Sequence, residues 1–127
     1  MTKVLVVDDD KESRELLSEV LTTNGYAVGL VESAGAAQAL LDDDNDYGIV
    51  IADLRMPDGS GLELLRELRR QKSKREVILM SSFISGSERE LALELGADAL
   101  LEKPFRLSEL LEVVAGLAKG RSIGISS

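Results

Sequence analysis

Tyr47-Gly48-Ile49-Val50-Ile51-Ala52-Asp53-Leu54-Arg55-Met56-Pro57-Asp58-Gly59-Ser60-Gly61 is the stretch that decides the fold. Its first six residues are apolar, rich in β-branched side chains and too few for a helix, which is the pattern of a strand buried on both faces. Asp53 closes that run, and the Pro and Gly residues that follow stop the strand and leave the carboxylate facing a loop. A carboxylate so placed stands at the carboxyl end of a strand, where open α/β sheets put their ligand sites.

Upstream, Lys3 to Val7 reads as another buried strand and ends on Asp8, Asp9 and Asp10. Lys11 to Asn24 has Leu16, Leu17, Val20 and Leu21 at helical spacing, with Asp9 or Asp10 as N-cap and Asn24-Gly25 as the stop. Tyr26 to Val31 reads as a weaker strand, and Ser33 opens a helix whose apolar face is Ala36, Ala37, Leu40 and Leu41. The acidic run Asp42 to Asp46 is expected to be a solvated turn without function.

Downstream, a helix over Gly61 to Gln71 turns Leu62, Leu65 and Leu68 inward and Glu63, Arg66, Glu67, Arg69 and Arg70 outward. A basic linker, Gln71 to Arg75, leads into a strand over Val77 to Met80 that ends on Ser81 and Ser82. Ser87 and Glu90 have capping-box spacing for a helix that packs Leu91, Ala92 and Leu95 and stops at Gly96. Ala97 to Leu101 is the fifth strand, followed by Glu102-Lys103-Pro104-Phe105. The last helix, Leu107 to Lys119, packs Leu107, Leu110, Leu111, Val114 and Leu117 and ends at Gly120. Strand alternating five times with helix implies a parallel sheet covered on both faces, because right-handed crossovers put the helices there. Residues 1–120 are read as one domain and 121–127 as a tail or truncated linker.

Composition narrows the chemistry. A chain of 127 residues can bury roughly two thirds of its unfolded surface without disulfides or structural metal. The net charge of -8 argues against direct nucleic-acid binding by this domain. No apolar run reaches the ~20 residues of a membrane span, and the first residues lack the pattern of a signal peptide, so no membrane association and a cytoplasmic location are expected. The absence of histidine removes imidazole catalysis, and the absence of cysteine leaves redox compartment undecided.

At the carboxyl ends of the strands stand Asp8 and Asp9, Asp53, Ser81 and Ser82, and Lys103. Three carboxylates, a hydroxyl and an ammonium on one sheet edge suit transfer of a phosphoryl group onto an acid: a metal cradle, a nucleophile, and donors to the phosphoryl oxygens. Two carboxylates ~4 Å apart repel by about 4 kcal/mol at an effective dielectric near 20, so the site should be strained until a cation offsets it. Any one of these residues alone would read as an N-cap, a surface lysine or a strand-end hydroxyl. Their joint occurrence at four strand ends is what reverses that reading.

The chain resembles the receiver domain of two-component response regulators. The likeness rests on Val6-Val7-Asp8-Asp9-Asp10, Asp53-Leu54-Arg55-Met56-Pro57-Asp58-Gly59, Ser81, Gly96-Ala97-Asp98 and Lys103-Pro104-Phe105, in that order, across residues 3 to 119. The resemblance implies a flavodoxin-like sheet of order 2-1-3-4-5, an example the general rule for such sheets itself uses. It implies Asp53 as phospho-acceptor, and Mg²⁺ or Mn²⁺ on Asp8, Asp9, Asp53 and the Arg55 backbone carbonyl. Ser81, a backbone N–H at Ser82, and Lys103 are then the groups that hold the phosphoryl group.

It further implies a sensor histidine kinase or histidine phosphotransfer protein as donor, a downstream effector, and phosphorylation-dependent dimerisation as one outcome. On this reading the chain is a signalling acceptor and not an enzyme. Leu100 stands where most receivers carry an aromatic residue, three before the lysine. Arg55 and Phe83 flank the site, where they could gate water. The competing readings are a Mg-dependent aspartyl phosphatase of the haloacid dehalogenase type, a nucleotide or flavin binder, and a pseudo-receiver binding module. The phosphatase needs an acid two residues beyond its nucleophile, where Arg55 stands. A nucleotide binder needs a Gly-rich turn after the first strand, where three aspartates stand.

Overall fold

Residues 2–119 are described by a computed structural model. The elements run β1 (Lys3–Val7), α1 (Lys11–Thr23), β2 (Ala27–Val31), α2 (Ala34–Asp43), β3 (Tyr47–Asp53), α3 (Gly61–Arg70), β4 (Glu76–Ser81), α4 (Gly86–Glu94), β5 (Ala99–Glu102) and α5 (Leu107–Ala118). All strand pairs are parallel, and the sheet order is β2-β1-β3-β4-β5, as expected.

The period-two alternation of each strand splits its side chains between two cores. Leu5, Val7, Val50, Ala52, Val77 and Leu79 join Ala37, Leu41, Leu64, Leu65, Leu68 and Ala92 beneath α2, α3 and α4. Val4, Val6, Ile49, Ile51, Ile78 and Met80 join Leu17, Leu21, Leu110, Val113, Val114 and Leu117 beneath α1 and α5. Register then sets the site. Val7 pairs with Ala52 and Asp53 with Met80, so the residues just past β1, β3 and β4 emerge side by side.

Several local expectations are corrected. Leu16 is 50% exposed, and Ala36 is exposed as well, because the stripe that meets the sheet runs through Leu17 and Leu21 in α1 and through Ala37 and Leu41 in α2. Leu64 is buried beside Leu65, while Leu62 is only partly so. The capping box of α4 is Ser85 with Glu88, two residues earlier than expected: Ser85 Oγ accepts from the Glu88 N–H at 3.1 Å, and Glu88 Oε1 accepts from the Ser85 N–H at 2.9 Å. β5 begins at Ala99 because the Ala97 N–H still closes α4, donating to the Ala92 carbonyl.

Charged residues expected outside turn out to be ties. Asp42 and Asp43 finish α2, and Asp44 accepts from Lys3 Nζ at 2.8 Å. Arg75 donates to the carbonyls of Leu41, Asp44 and Tyr47. Arg69 donates to the carbonyls of Leu95, Gly96, Ser73 and Arg75, clasping α3 to the end of α4. The Gly120 stop and the 121–127 tail lie outside the described residues. Among the described residues no helix is long and apolar enough to cross a membrane.

Candidate functional site

Asp8, the residue that follows β1, is fully buried. Its N–H donates to the Val31 carbonyl, its carbonyl accepts from Arg14 Nη1, and its Oδ1 accepts from the Asp10 N–H at 2.9 Å. That last bond closes an Asx turn, so Asp8 shapes the chain at the start of α1, while Asp10, the N-cap by position, makes no side-chain cap bond. Asp8 Oδ2 is buried and accepts no hydrogen bond. β3 ends at Asp53, also buried, whose Oδ1 accepts from the Arg55 N–H at 3.0 Å.

Gly61 is what lets the loop after Asp53 fold back so closely. A Cβ at Gly61 would stand 2.8 Å from the Asp53 carbonyl oxygen and 2.8 Å from Leu79 Cδ2. Ser60 then caps α3 in a complete box with Glu63. Asp58, in the same loop, reaches across and accepts from the first amides of α2, Ala34 and Gly35.

Lys103 is fixed by its own backbone, whose N–H donates to the Ser81 carbonyl at 2.7 Å. Its Nζ donates to Asp53 Oδ2 at 3.0 Å and lies 3.5 Å from Asp8 Oδ2. Burial works to lower the ammonium's pKa, but the hydrogen bond and charge of Asp53, with the charge of Asp8, outweigh it, so the pKa stands above the usual lysine value. Asp8, Asp9 and Asp53 each bring an oxygen within 4.8 Å of the others. A single ammonium cannot neutralise three carboxylates this close. The buried Asp8 oxygen that accepts no hydrogen bond and the all-oxygen donor set therefore fit a hard divalent cation.

Ser81 is buried at the end of β4, yet its hydroxyl is bound on the far side of the site. Ser81 Oγ accepts from Arg55 Nη1 at 2.8 Å and from the Phe83 N–H at 3.3 Å. Ser82 stands exposed one residue past the strand. The arrangement thus brings Asp8, Asp9, Asp53 and Lys103 together and puts the Ser81 backbone, but not its hydroxyl bonds, in contact with them.

The Arg55 side chain and Glu88 were not read from the sequence as a pair. Arg55 Nη2 donates to both Glu88 oxygens, at 2.7 and 2.9 Å, and its Nη1 also donates to the Phe83 carbonyl. The guanidinium stands 5.9 Å from the Phe83 ring centre. The only sequence signal was Ser85-Gly86-Ser87-Glu88, a capping box that competes with the overlapping Ser87 to Glu90 spacing. Leu100 is half-buried among the apolar residues beneath α4.

The family model of the response regulator receiver domain matches residues 4–115. The transcriptional regulatory protein CpxR of Klebsiella pneumoniae is 40% identical over 119 residues, which cover 94% of this chain and 50% of that protein. The chain spans about half the length of the curated relatives it matches. Among solved structures, the receiver domain of a Francisella response regulator is 32% identical, with a TM-score of 0.88 over 94% of this chain and 98% of that one. A CheY-like receiver domain protein from Methanospirillum hungatei is 26% identical, with a TM-score of 0.90 over 94% and 95%.

Proposed function

The chain belongs to the response regulator receiver domain family, and on that premise we propose that Asp53 is its phospho-acceptor, served by Asp8, Asp9, Ser81, Ser82 and Lys103. The observation that carries the reading is the Lys103 ammonium on Asp53 Oδ2 at 3.0 Å inside a cluster of three carboxylates. A nucleophilic carboxylate of this kind keeps one oxygen oriented by a backbone N–H and its charge balanced by an ammonium.

In the transfer, an Asp53 oxygen forms a bond to phosphorus as the bond from phosphorus to the donor's histidine nitrogen breaks, and that nitrogen keeps the electron pair. Lys103, already on Asp53, follows the charge onto a phosphoryl oxygen. The Ser81 hydroxyl and the Ser82 N–H supply further donors. Mg²⁺ or Mn²⁺, held by Asp8, Asp9, Asp53 and the Arg55 carbonyl, would supply the positive charge that offsets carboxylate repulsion and the charge on the phosphoryl oxygens.

The donor is a sensor histidine kinase or histidine phosphotransfer protein, and the product is a changed surface for an effector, a dimer being one form of it. The reading places the domain over residues 1–120, in the cytoplasm, without direct nucleic-acid or membrane binding. It is a signalling acceptor and not a turnover enzyme, so repeated hydrolysis of a small phosphoester would contradict it.

Intact mass after incubation with acetyl phosphate tests the assignment, with and without Mg²⁺, on the native chain and on Asp53→Asn. One phosphoryl group is gained only with metal and only by the native chain. An adduct that persists in Asp53→Asn would move the acceptor elsewhere.

A further inference from the structure

The arginine two residues past the acceptor makes more bonds to the turn after β4 than to its own loop. Arg55 Nη1 serves Ser81 Oγ and the Phe83 carbonyl, while Nη2 serves both oxygens of Glu88 on α4. One side chain thus ties the phosphoryl-binding hydroxyl, the β4 to α4 turn and the first turn of α4 to the acceptor loop.

A hydroxyl has two acceptor positions and one donor. Arg55 Nη1 and the Phe83 N–H occupy the two acceptor positions of Ser81 Oγ, and both partners lie on the side of α4. The proton of Ser81 is not engaged by either partner, but carrying Oγ itself toward a group on Asp53 breaks the bond from Arg55 Nη1. The role of Leu100 is also constrained, since an aliphatic side chain packed in the core offers no polar end that could exchange partners with Ser81.

Resting on the reading of Asp53 as acceptor, we propose that Arg55 is a positioning residue acting as a charge-operated latch. In the unmodified protein it holds Ser81 and the start of α4 to the acceptor loop. Phosphorylation replaces a carboxylate of one negative charge by a group of ≈ −1.5 to −2, adding up to about one negative charge beside the Arg55 backbone. The Arg55 N–H already contacts Asp53, and its side chain is 50% exposed, so the guanidinium is free to swing.

The added charge draws the guanidinium from the single carboxylate of Glu88 toward the phosphoryl oxygens, which carry more negative charge and which its planar fork also fits. Ser81 is then released to turn inward. α4 keeps its capping box, because Glu88 still accepts from the Ser85 N–H, but loses its tether. The consequence for the partner surface is a looser first turn of α4 in the modified state.

The test uses beryllofluoride with Mg²⁺ as the phosphoryl probe on the full chain, with bound probe read by fluorine NMR and amide exchange read over residues 85–89. Glu88→Gln keeps an oxygen for the capping box but removes the charge. Ser85→Ala removes the hydroxyl that caps the same turn of α4 while leaving both Arg55 Nη2 bonds to Glu88 available. In the native protein the probe accelerates exchange at 85–89 by about two- to five-fold, the effect of losing one half-exposed ion pair. Glu88→Gln exchanges at that faster rate from the outset, shows no further change, and binds the probe about two- to five-fold more tightly. Ser85→Ala raises exchange while leaving probe affinity as in the native chain.

Native exchange unchanged by bound probe would overturn the latch, as would equal tightening by Ser85→Ala and Glu88→Gln. Failure of the native chain to bind the probe at all would instead overturn the Asp53 reading, and the latch with it.

Discussion

Asp8→Asn isolates the cost of the acidic cluster to the fold. Asp8 is fully buried, and its Oδ2 accepts no hydrogen bond. At an effective dielectric near 20, Lys103 Nζ at 3.5 Å attracts it by about 4.7 kcal/mol. Asp53, within 4.8 Å, repels it by at least about 3.5 kcal/mol on the same scale. Asp9 lies as near but is exposed, so solvent roughly halves its repulsion, to about 1.7 kcal/mol. Attraction and repulsion therefore nearly cancel, and what remains is the desolvation of a buried oxygen that accepts no hydrogen bond, about 1–3 kcal/mol.

Asparagine keeps the oxygen that accepts from the Asp10 N–H and replaces Oδ2 by an uncharged NH2, leaving the Lys103 ammonium on Asp53. In EDTA the variant should be more stable than the native chain by about 2 kcal/mol, a shift of roughly 1 M in urea midpoint. Far-UV circular dichroism is the suitable probe, because the chain has no tryptophan. Mg²⁺ at ten times its dissociation constant should add about 1.4 kcal/mol to the native protein and almost nothing to the variant. A variant less stable than native in EDTA by ~1 kcal/mol or more, or one that gains the same stabilisation from Mg²⁺, would refute the picture of a strained cation cradle.

Gly61→Ala should cost about 1–3 kcal/mol in the same urea titration, because its Cβ meets the Asp53 backbone carbonyl, which cannot yield without moving the acceptor. The Glu88 carboxyl is held below its usual range, first by the Ser85 amide and, against some opposing burial, also by Arg55. Its contribution is complete above the unfolded value near about 4.3 and is lost as pH falls through the lower folded value, so the protection of the amides over 86–89 against exchange should fall selectively as that value is crossed.

What the sequence made legible follows from what topology forces. Five apolar runs, each closed by a polar residue, can pair only as a parallel sheet once helices lie between them, and that sheet must bring Asp8, Asp53, Ser81 and Lys103 to one edge. Helix faces were less legible. Leu16 and Leu17 are equivalent in composition, and only the position of α1 over β1 and β2 decides that Leu17 is the buried one. The α4 cap was ambiguous for a local reason, since Ser85 to Glu88 and Ser87 to Glu90 are the same motif shifted by two, and the chain reaches its turn early.

Arg55 was legible as a neighbour of the site but not as a bridge, because the partners of a long, flexible cation are chosen by geometry 26 to 33 residues away. The same difference bears on function. The acidic cluster is fixed by strand ends and is rigid, so it suits the chemistry, which requires fixed distances. The Arg55 tie is made by a half-exposed guanidinium and is cheap to break. A signal that must be reversed at the energy of one added charge needs a contact of that second kind, and among the described residues Arg55 is the side chain that joins the acceptor loop, Ser81 and α4 through such contacts.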